Sequence, residues 1–298
     1  MTAQIQGATP LWIAARTLLN ERGDDLFRCW AKVLRTFEPE DIHDLRVASR
    51  RLREGLALFA PCYARKDIKS LDKKIKKVTL LLGGMRNTDE AIIFFTALVD
   101  ELETRCKDVL GPFLALLNKE RKRESRRLES GLQKMAVEDL KDFFQRTTNS
   151  LSLFTPLANG ADLFAPLSGF ARDSISSRLS AIRDFLPQAR DKENIEAQHR
   201  LRIMVKHFRY RMEILSFLIG TRYQQFHAAI KGYQDVLGKM HDLDVFSEMV
   251  NKAEFSPECE KPILAAIRAR RDGFYRGFST MLTSMPLERI GEQVRDEL

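Results

Sequence analysis

A chain of 298 residues with 44% hydrophobic side chains can bury one large core or two medium ones, which excludes disorder. Its 15 glycines, 10 prolines and 30% charged residues favour long helices over a β-rich fold. The formal net charge of +8 points to an anionic partner, while four cysteines without CxxC spacing argue against a disulfide framework or zinc site and fit a reducing cytoplasm.

Thr9-Pro10 reads as an N-cap with proline at the first helical position, opening a helix to about Thr36 with a place for a bend at Gly23. Glu38-Pro39 opens the next helix and Pro61 stops it. At 100° per residue, Leu45, Leu52, Leu56 and Phe59 form a core stripe on one side. His43, Arg46, Arg50 and Arg53 fall on another side within about 80° of one another. Arg51 lies on the flank of that row. A lysine-rich helix follows from about Lys66 to Leu82, with Leu71, Ile75, Val78 and Leu82 inward. Lys69, Lys73, Lys76 and Lys77 project from its other side, as a solvated face or as a ligand-facing one. Gly83-Gly84 breaks that helix, and Asn87 to Glu90 fits a capping box, which gives Asn87, Asp89 and Glu90 a sufficient structural role without a metal.

The next helix is expected to reach about Arg105, and another to begin beyond Pro112. The latter's cluster of Arg121, Lys122, Arg123, Arg126 and Arg127 alternates with Glu120, Glu124 and Glu129, as on a salt-bridged exposed face. After a short helix from Val137 to Thr147, the stretch from Ser150 to Pro166 carries two prolines, a glycine and an Asn-Gly turn. It reads as the boundary between a first half, 1–150, and a second half, 160–298. The second half is expected to hold helices from about Pro166 to Phe185, closed by Pro187, and from about Glu193 to Ile219. Further helices are expected over Tyr223–Leu237, Asp242–Lys252 and Pro257–Thr283, with a frayed or weakly helical polar tail from Pro286.

The second half repeats the first. His199, Arg202, Lys206 and Arg209 match His43, Arg46, Arg50 and Arg53 at one constant offset, with His207 where Arg51 stood. Leu201, Ile203, Phe208 and Met212 match Leu45, Val47, Leu52 and Leu56, so the core stripe and the basic stripe keep their phase together. A solvated face alone gives no reason for that. With a one-residue change in spacing, the segment from Leu82 to Asp89, LGGMRNTD, matches Leu237 to Asp244, LGKMHDLD, and Lys76 matches Lys231. Two long units point to a duplicated domain rather than a solenoid. The charge follows the repeat. Residues 41–86 carry twelve basic and five acidic side chains, residues 199–241 carry eight and two, and all five histidines lie in these two stretches. The rest of the chain is net acidic, which favours one polyanionic ligand over a generally adhesive surface.

The doubled His-x-x-Arg-x-x-x-Arg-Arg-x-Arg helix and the Leu-Gly segment after it resemble the CHAD family, the conserved histidine α-helical domain, over nearly the whole chain. The resemblance implies an all-α fold of two antiparallel helical bundles, about four core helices each, related by a pseudo-two-fold axis. It implies binding of inorganic polyphosphate in a basic groove. No cofactor, metal or catalytic residue is expected, and the protein is expected in the cytoplasm, where polyphosphate granules are one place for it and regulation of a partner is another role. The residues expected to line that groove are His43, Arg46, Arg50, Arg51, Arg53, Lys73, Lys76, Lys77 and Arg86 from the first copy. From the second they are His199, Arg202, Lys206, His207, Arg209, Tyr210 and Lys231. Three positions depart from the pattern: Asn87 for the first acidic residue of the Leu-Gly segment, His207 for an adjacent cation, and His241 for the arginine of the second copy.

No Walker loop, HExxH, GxSxG or EF-hand loop is present, and no nucleophile sits beside a predicted base, so turnover is not expected. The longest apolar run, Ala91 to Val99, is far too short to span a bilayer, and no signal peptide is evident at the N-terminus. Two other ligands fit the basic stripes: a nucleic acid, for which only Tyr210, Tyr223 and Tyr233 offer stacking surfaces, and an acidic protein partner. Oligomeric state leaves no mark in the sequence.

Overall fold

The computed structural model describes residues 5–102, 104–150 and 161–298, and among them every extended element is an α-helix. The first half runs α1 (Leu11–Thr36), α2 (Pro39–Leu58), α3 (Arg65–Leu81), α4 (Gly84–Val99), α5 (Thr104–Gln133) and α6 (Val137–Asn149). The second runs α7 (Leu167–Ala189), α8 (Ile195–Ile214), the single turn α9 (Ser216–Ile219), α10 (Tyr223–Lys252), α11 (Pro257–Ser284) and α12 (Leu287–Asp296). The expected all-α class is what the chain forms, and the same order recurs: a long helix, the basic helix, a hairpin, a short closing helix.

The two halves begin side by side. Pro10 and Pro166 form an isolated antiparallel bridge. Leu11 N–H donates to Ala165 O and Leu167 N–H to Thr9 O, both at 2.9 Å. Each long helix thus has one of its otherwise unpaired first N–H groups satisfied by the other half of the chain. Much of the expected boundary, residues 151–160, lies outside the described residues. The main apolar core draws on both halves, with Trp30, Phe59, Phe208, Phe226 and Tyr233 fully buried in it. A second, smaller core packs α4 and α5 against α10 and α11 through Phe95, Phe113, Phe246 and Ile267, among others.

Several local expectations are corrected. Gly23 does not interrupt α1, and it has a packing role: a Cβ there would lie 2.4 Å from the Phe144 ring, so the glycine lets α6 close onto α1. Asn87 is not a cap: α4 already begins at Gly84 and Asn87 sits inside it. α4 ends at Val99, and α5 starts before Pro112 and carries that proline within it, as α7 carries Pro187. The second Leu-Gly segment does not break its helix. α10 continues through Gly238 for 30 residues, whereas Gly83-Gly84 separates α3 from α4. One glycine costs a helix about 1 kcal/mol, and the second copy has lysine at the next position. The polar tail is a helix, α12, whose Leu287, Ile290 and Val294 are buried on α7 and α10. Finally, Cys106 and Cys259 are joined as a disulfide with Cα atoms 5.3 Å apart. Their separation of 153 residues kept the pair invisible in the spacing.

Candidate functional site: a cluster of unpaired cations between α2 and α8

α2 and α8 pack on one another across the middle of the molecule. Their apolar stripes enter the main core through Leu45, Leu52 and Leu56 on one side and Leu201, Val205, Phe208 and Met212 on the other. That fixes the rotation of both helices, and the basic rows follow from it.

Four cations of these rows have no carboxylate partner among the described residues: Arg46, Arg50, Arg202 and Lys206. Arg46 is 9% exposed, and its Nε and Nη1 atoms are buried without an acceptor. Burial, then the fields of Arg50 and Arg86, pull its guanidinium down to about 9. Tyr210 opposes this slightly, and Arg202 adds to it. Arg202 has a buried Nε without an acceptor and is lowered first by burial, then by Arg50 and Arg86, with Asp242 opposing. Lys206 is pulled down to about 8 by burial and by Arg50, Arg202, Arg53 and Arg46. Mutual depression of this kind requires the groups to be close. The rows of both copies therefore meet in one cluster, with Arg86 from α4 and the buried Tyr210 beside it.

The remaining expected residues are placed differently. Arg51 forms an ion pair with Glu213 at 2.9 Å, and Glu213 also takes Arg209 at 3.0 Å and His227 at 3.1 Å. Arg209 further donates to Gln234 and stacks over the Tyr210 ring. His207 meets the buried Glu54 at 2.6 Å, where Arg211 and Arg178 also converge. Burial pushes Glu54 up, but the His207 hydrogen bond and the two guanidinium groups outweigh it and hold the carboxyl below its ordinary value. Arg51, Arg209 and His207 thus belong to ion networks that join α2 to α8. Arg53 is shared: it pairs with Asp72 on α3 at 2.9 Å while its field reaches Lys206. Arg86 faces Glu90 at 3.6 Å, and Lys239 approaches the same carboxylate.

The two histidines that begin the rows differ. His43 is exposed. His199 lies against His241, with ring centroids 4.2 Å and Nδ1 atoms 3.1 Å apart. Burial, then Arg202 and Lys206, lower His199, with Asp244 opposing. Burial, then Arg202 and His199, bring His241 down to about 4. Lys73, Lys76, Lys77 and Lys231 are exposed on α3 and α10. Sequence reasoning placed Asp242 only in the repeated Leu-Gly segment and passed over Glu54, Glu213 and Asp72, the other carboxylates that bound the cluster. The i,i+4 spacing of Arg209 and Glu213 was a signal it could have used, whereas Glu54 and Asp72 meet their cations through tertiary packing.

The cluster can hold an anion with several oxygens. Buried guanidinium donors without acceptors are costly, and a phosphate supplies paired acceptors that match their fork.

The comparisons with known proteins agree on the fold. The CHAD domain family model matches residues 17–251. No curated protein matches the chain in sequence. Two solved structures superpose over nearly the full length. The CHAD domain from the plant Ricinus communis gives a TM-score of 0.65 at 19% identity, covering 99% of this chain and 95% of that one. PptA from Streptomyces chartreusis gives 0.66 at 14% identity, covering 97% and 100%. Among the described residues no helix is long and apolar enough to cross a membrane.

Proposed function

The chain belongs to the CHAD domain family, and from that premise we propose that it binds inorganic polyphosphate along a basic groove between α2 and α8, without turning it over. The observation that carries this reading is the set of buried, acceptor-free donors on Arg46 and Arg202, held beside Arg50 and Lys206, none of the four in an ion pair among the described residues, with Asp242 the main opposing charge on Arg202. A fold keeps such a set at a cost to its own stability, which an external polyanion relieves. Polyphosphate is a flexible row of anions without bases or sugars, so a row of cations is sufficient to recognise it. Binding without turnover is our reading because no catalytic motif is recognisable in the sequence.

Nucleic acid is the weaker reading. Single strands are held by stacking bases on exposed rings, and two of the three tyrosines near the basic helices are buried. Tyr210 is 3% exposed, and Tyr233 is fully enclosed with its hydroxyl donating to Met285 O. The test is a competition at fixed salt between long polyphosphate, DNA, RNA and heparin for a labelled polyphosphate probe. Polyphosphate is expected to displace the probe at the lowest concentration, with no phosphate released. Equal displacement by RNA would overturn the assignment.

A further inference from the structure

We propose that Cys106 and Cys259 act as a redox-sensitive staple that sets how firmly the α4–α5 hairpin, and Arg86 with it, is held against the cation cluster. The effect on ligand affinity rests on the polyphosphate reading above; the staple itself does not.

The base of the hairpin belongs to the main core through Met85, Leu128 and Leu132, and its far part, from Ala91 to Leu117, leaves that core. That part docks on α10 and α11 through the smaller core, where Phe94 stacks on Phe246, Phe95 tilts against the same ring and Phe113 meets Phe255. Arg270 reinforces this dock from α11, over the Phe94 ring and in an ion pair with Glu101. A small core exposed at its edges opens more readily than a large one. The disulfide lies at that dock, joining the start of α5 to the start of α11. The other two cysteines are not candidates for it. Cys62 is fully buried with its thiol pushed up to about 12, and Cys29 lies on α1.

At the other end of α4, Arg86 reaches the cation cluster. Its field is among the causes that lower Arg46 and Arg202, and it also acts on Asp242 of α10. Met85 anchors the base in the main core, so a far end released from its dock would pivot α4 about that base and reorient Arg86 against a bound anion. The chemistry is thiol–disulfide exchange with glutathione disulfide as oxidant. One cysteine thiolate attacks a glutathione sulfur and expels a glutathione thiolate. The second cysteine thiolate then attacks the mixed disulfide, closing the Cys106–Cys259 bond and releasing the other glutathione. Two protein thiols are oxidised and one glutathione disulfide is reduced to two thiols. Both cysteines are buried, at 2% and 3% exposure, so exchange requires the dock to open.

Coupling between two sites is reciprocal. If the closed disulfide tightens polyphosphate binding, bound polyphosphate must make the disulfide harder to reduce by the same factor. The experiment titrates the full chain in glutathione redox buffers with and without long polyphosphate, reading free thiols by mass. In parallel it measures polyphosphate affinity and amide hydrogen exchange of the oxidised, the reduced and the Cys106→Ser chains. The expected result is a Cys106–Cys259 linkage and slower exchange across residues 84–133 when it is closed. Affinity is expected to be about fivefold tighter in the oxidised form, with a matching shift in the redox midpoint. Cys106→Ser should behave as the reduced chain in every buffer. Thiols that stay free in glutathione disulfide would overturn the proposal, as would identical exchange and affinity in the two forms. If neither form bound polyphosphate while the exchange difference persisted, the ligand reading would fail and the staple would stand.

Discussion

Arg46 and Arg202 sit where a folded chain gains least from an arginine: buried, close to other cations and short of acceptors. Their value lies in the complex. Replacing both by alanine should weaken polyphosphate binding by about 100-fold, since charge-assisted hydrogen bonds contribute about 1.5 kcal/mol or more each. Arg46→Met alone should raise the melting temperature of the free protein by about 2–4 °C, the shift expected for a gain of about 1 kcal/mol in a chain of this size. Opposite signs for stability and affinity, read by thermal unfolding and by titration, separate a binding residue from a packing one. Lys206 supplies a second signature. It releases its proton near 8 in the folded chain and near 10.5 in the unfolded one. Between those values the unfolded state holds more protons, so the free protein should grow more stable as pH rises. A phosphate at Lys206 favours the charged amine, so affinity should fall across the same window. The cation rows were legible in the sequence because they share the phase of the core stripes. Which cations stay unpaired was not, since Glu54 and Glu213 reach Arg211, His207 and Arg51 only across the α2–α8 contact.

At the scale of elements, those two carboxylates join the basic helices. Glu54 is 1% exposed and faces three cations. Glu54→Ala would leave Arg211 and its neighbours buried without a counter-charge and should cost about 3–5 kcal/mol in denaturant unfolding. The depressed Glu54 carboxyl also has a pH consequence. Its contribution is full above the ordinary glutamate value of 4.5 and is lost as pH falls through the lower folded value. α12 tests a different expectation. Its polar composition reads as a frayed tail, yet the apolar residues recur on one face and close over Leu179, which Gly291 approaches so nearly that a Cβ there would clash. Ile290→Ala should therefore cost about 2–5 kcal/mol, where a frayed end would lose almost nothing. Helix interiors were readable from their periodicity. Their ends were less so, because Pro112 and Gly238 are breakers whose local cost is outweighed inside long packed helices, whereas Pro187 stands two residues before the end of α7, close to where it was expected to stop it.

For the whole molecule, the question is whether the polyanion meets a site or a face. The two basic stretches hold twenty Lys and Arg side chains, ample for diffuse attraction by the entire surface. The structure divides them. Most are exposed on α3 and α10 or engaged by carboxylates, and four stand unpaired between α2 and α8. Salt distinguishes the two pictures. Each cation that displaces a condensed counterion contributes about 0.7 to the slope of log affinity against log salt for a flexible single-stranded polyanion. Four cations give a slope of about −3, a loss of about 50-fold between about 50 and 200 mM salt. Recruiting Lys73, Lys76, Lys77 and Lys231 as well would double the slope to about −6. Replacing these four lysines by alanine then decides the matter. A slope that stays near −3 confines binding to the buried cluster, and one that falls from −6 to −3 extends the path over α3 and α10. In the first case the exposed lysines act only at a distance, so their loss should slow association at low salt while leaving the dissociation rate unchanged.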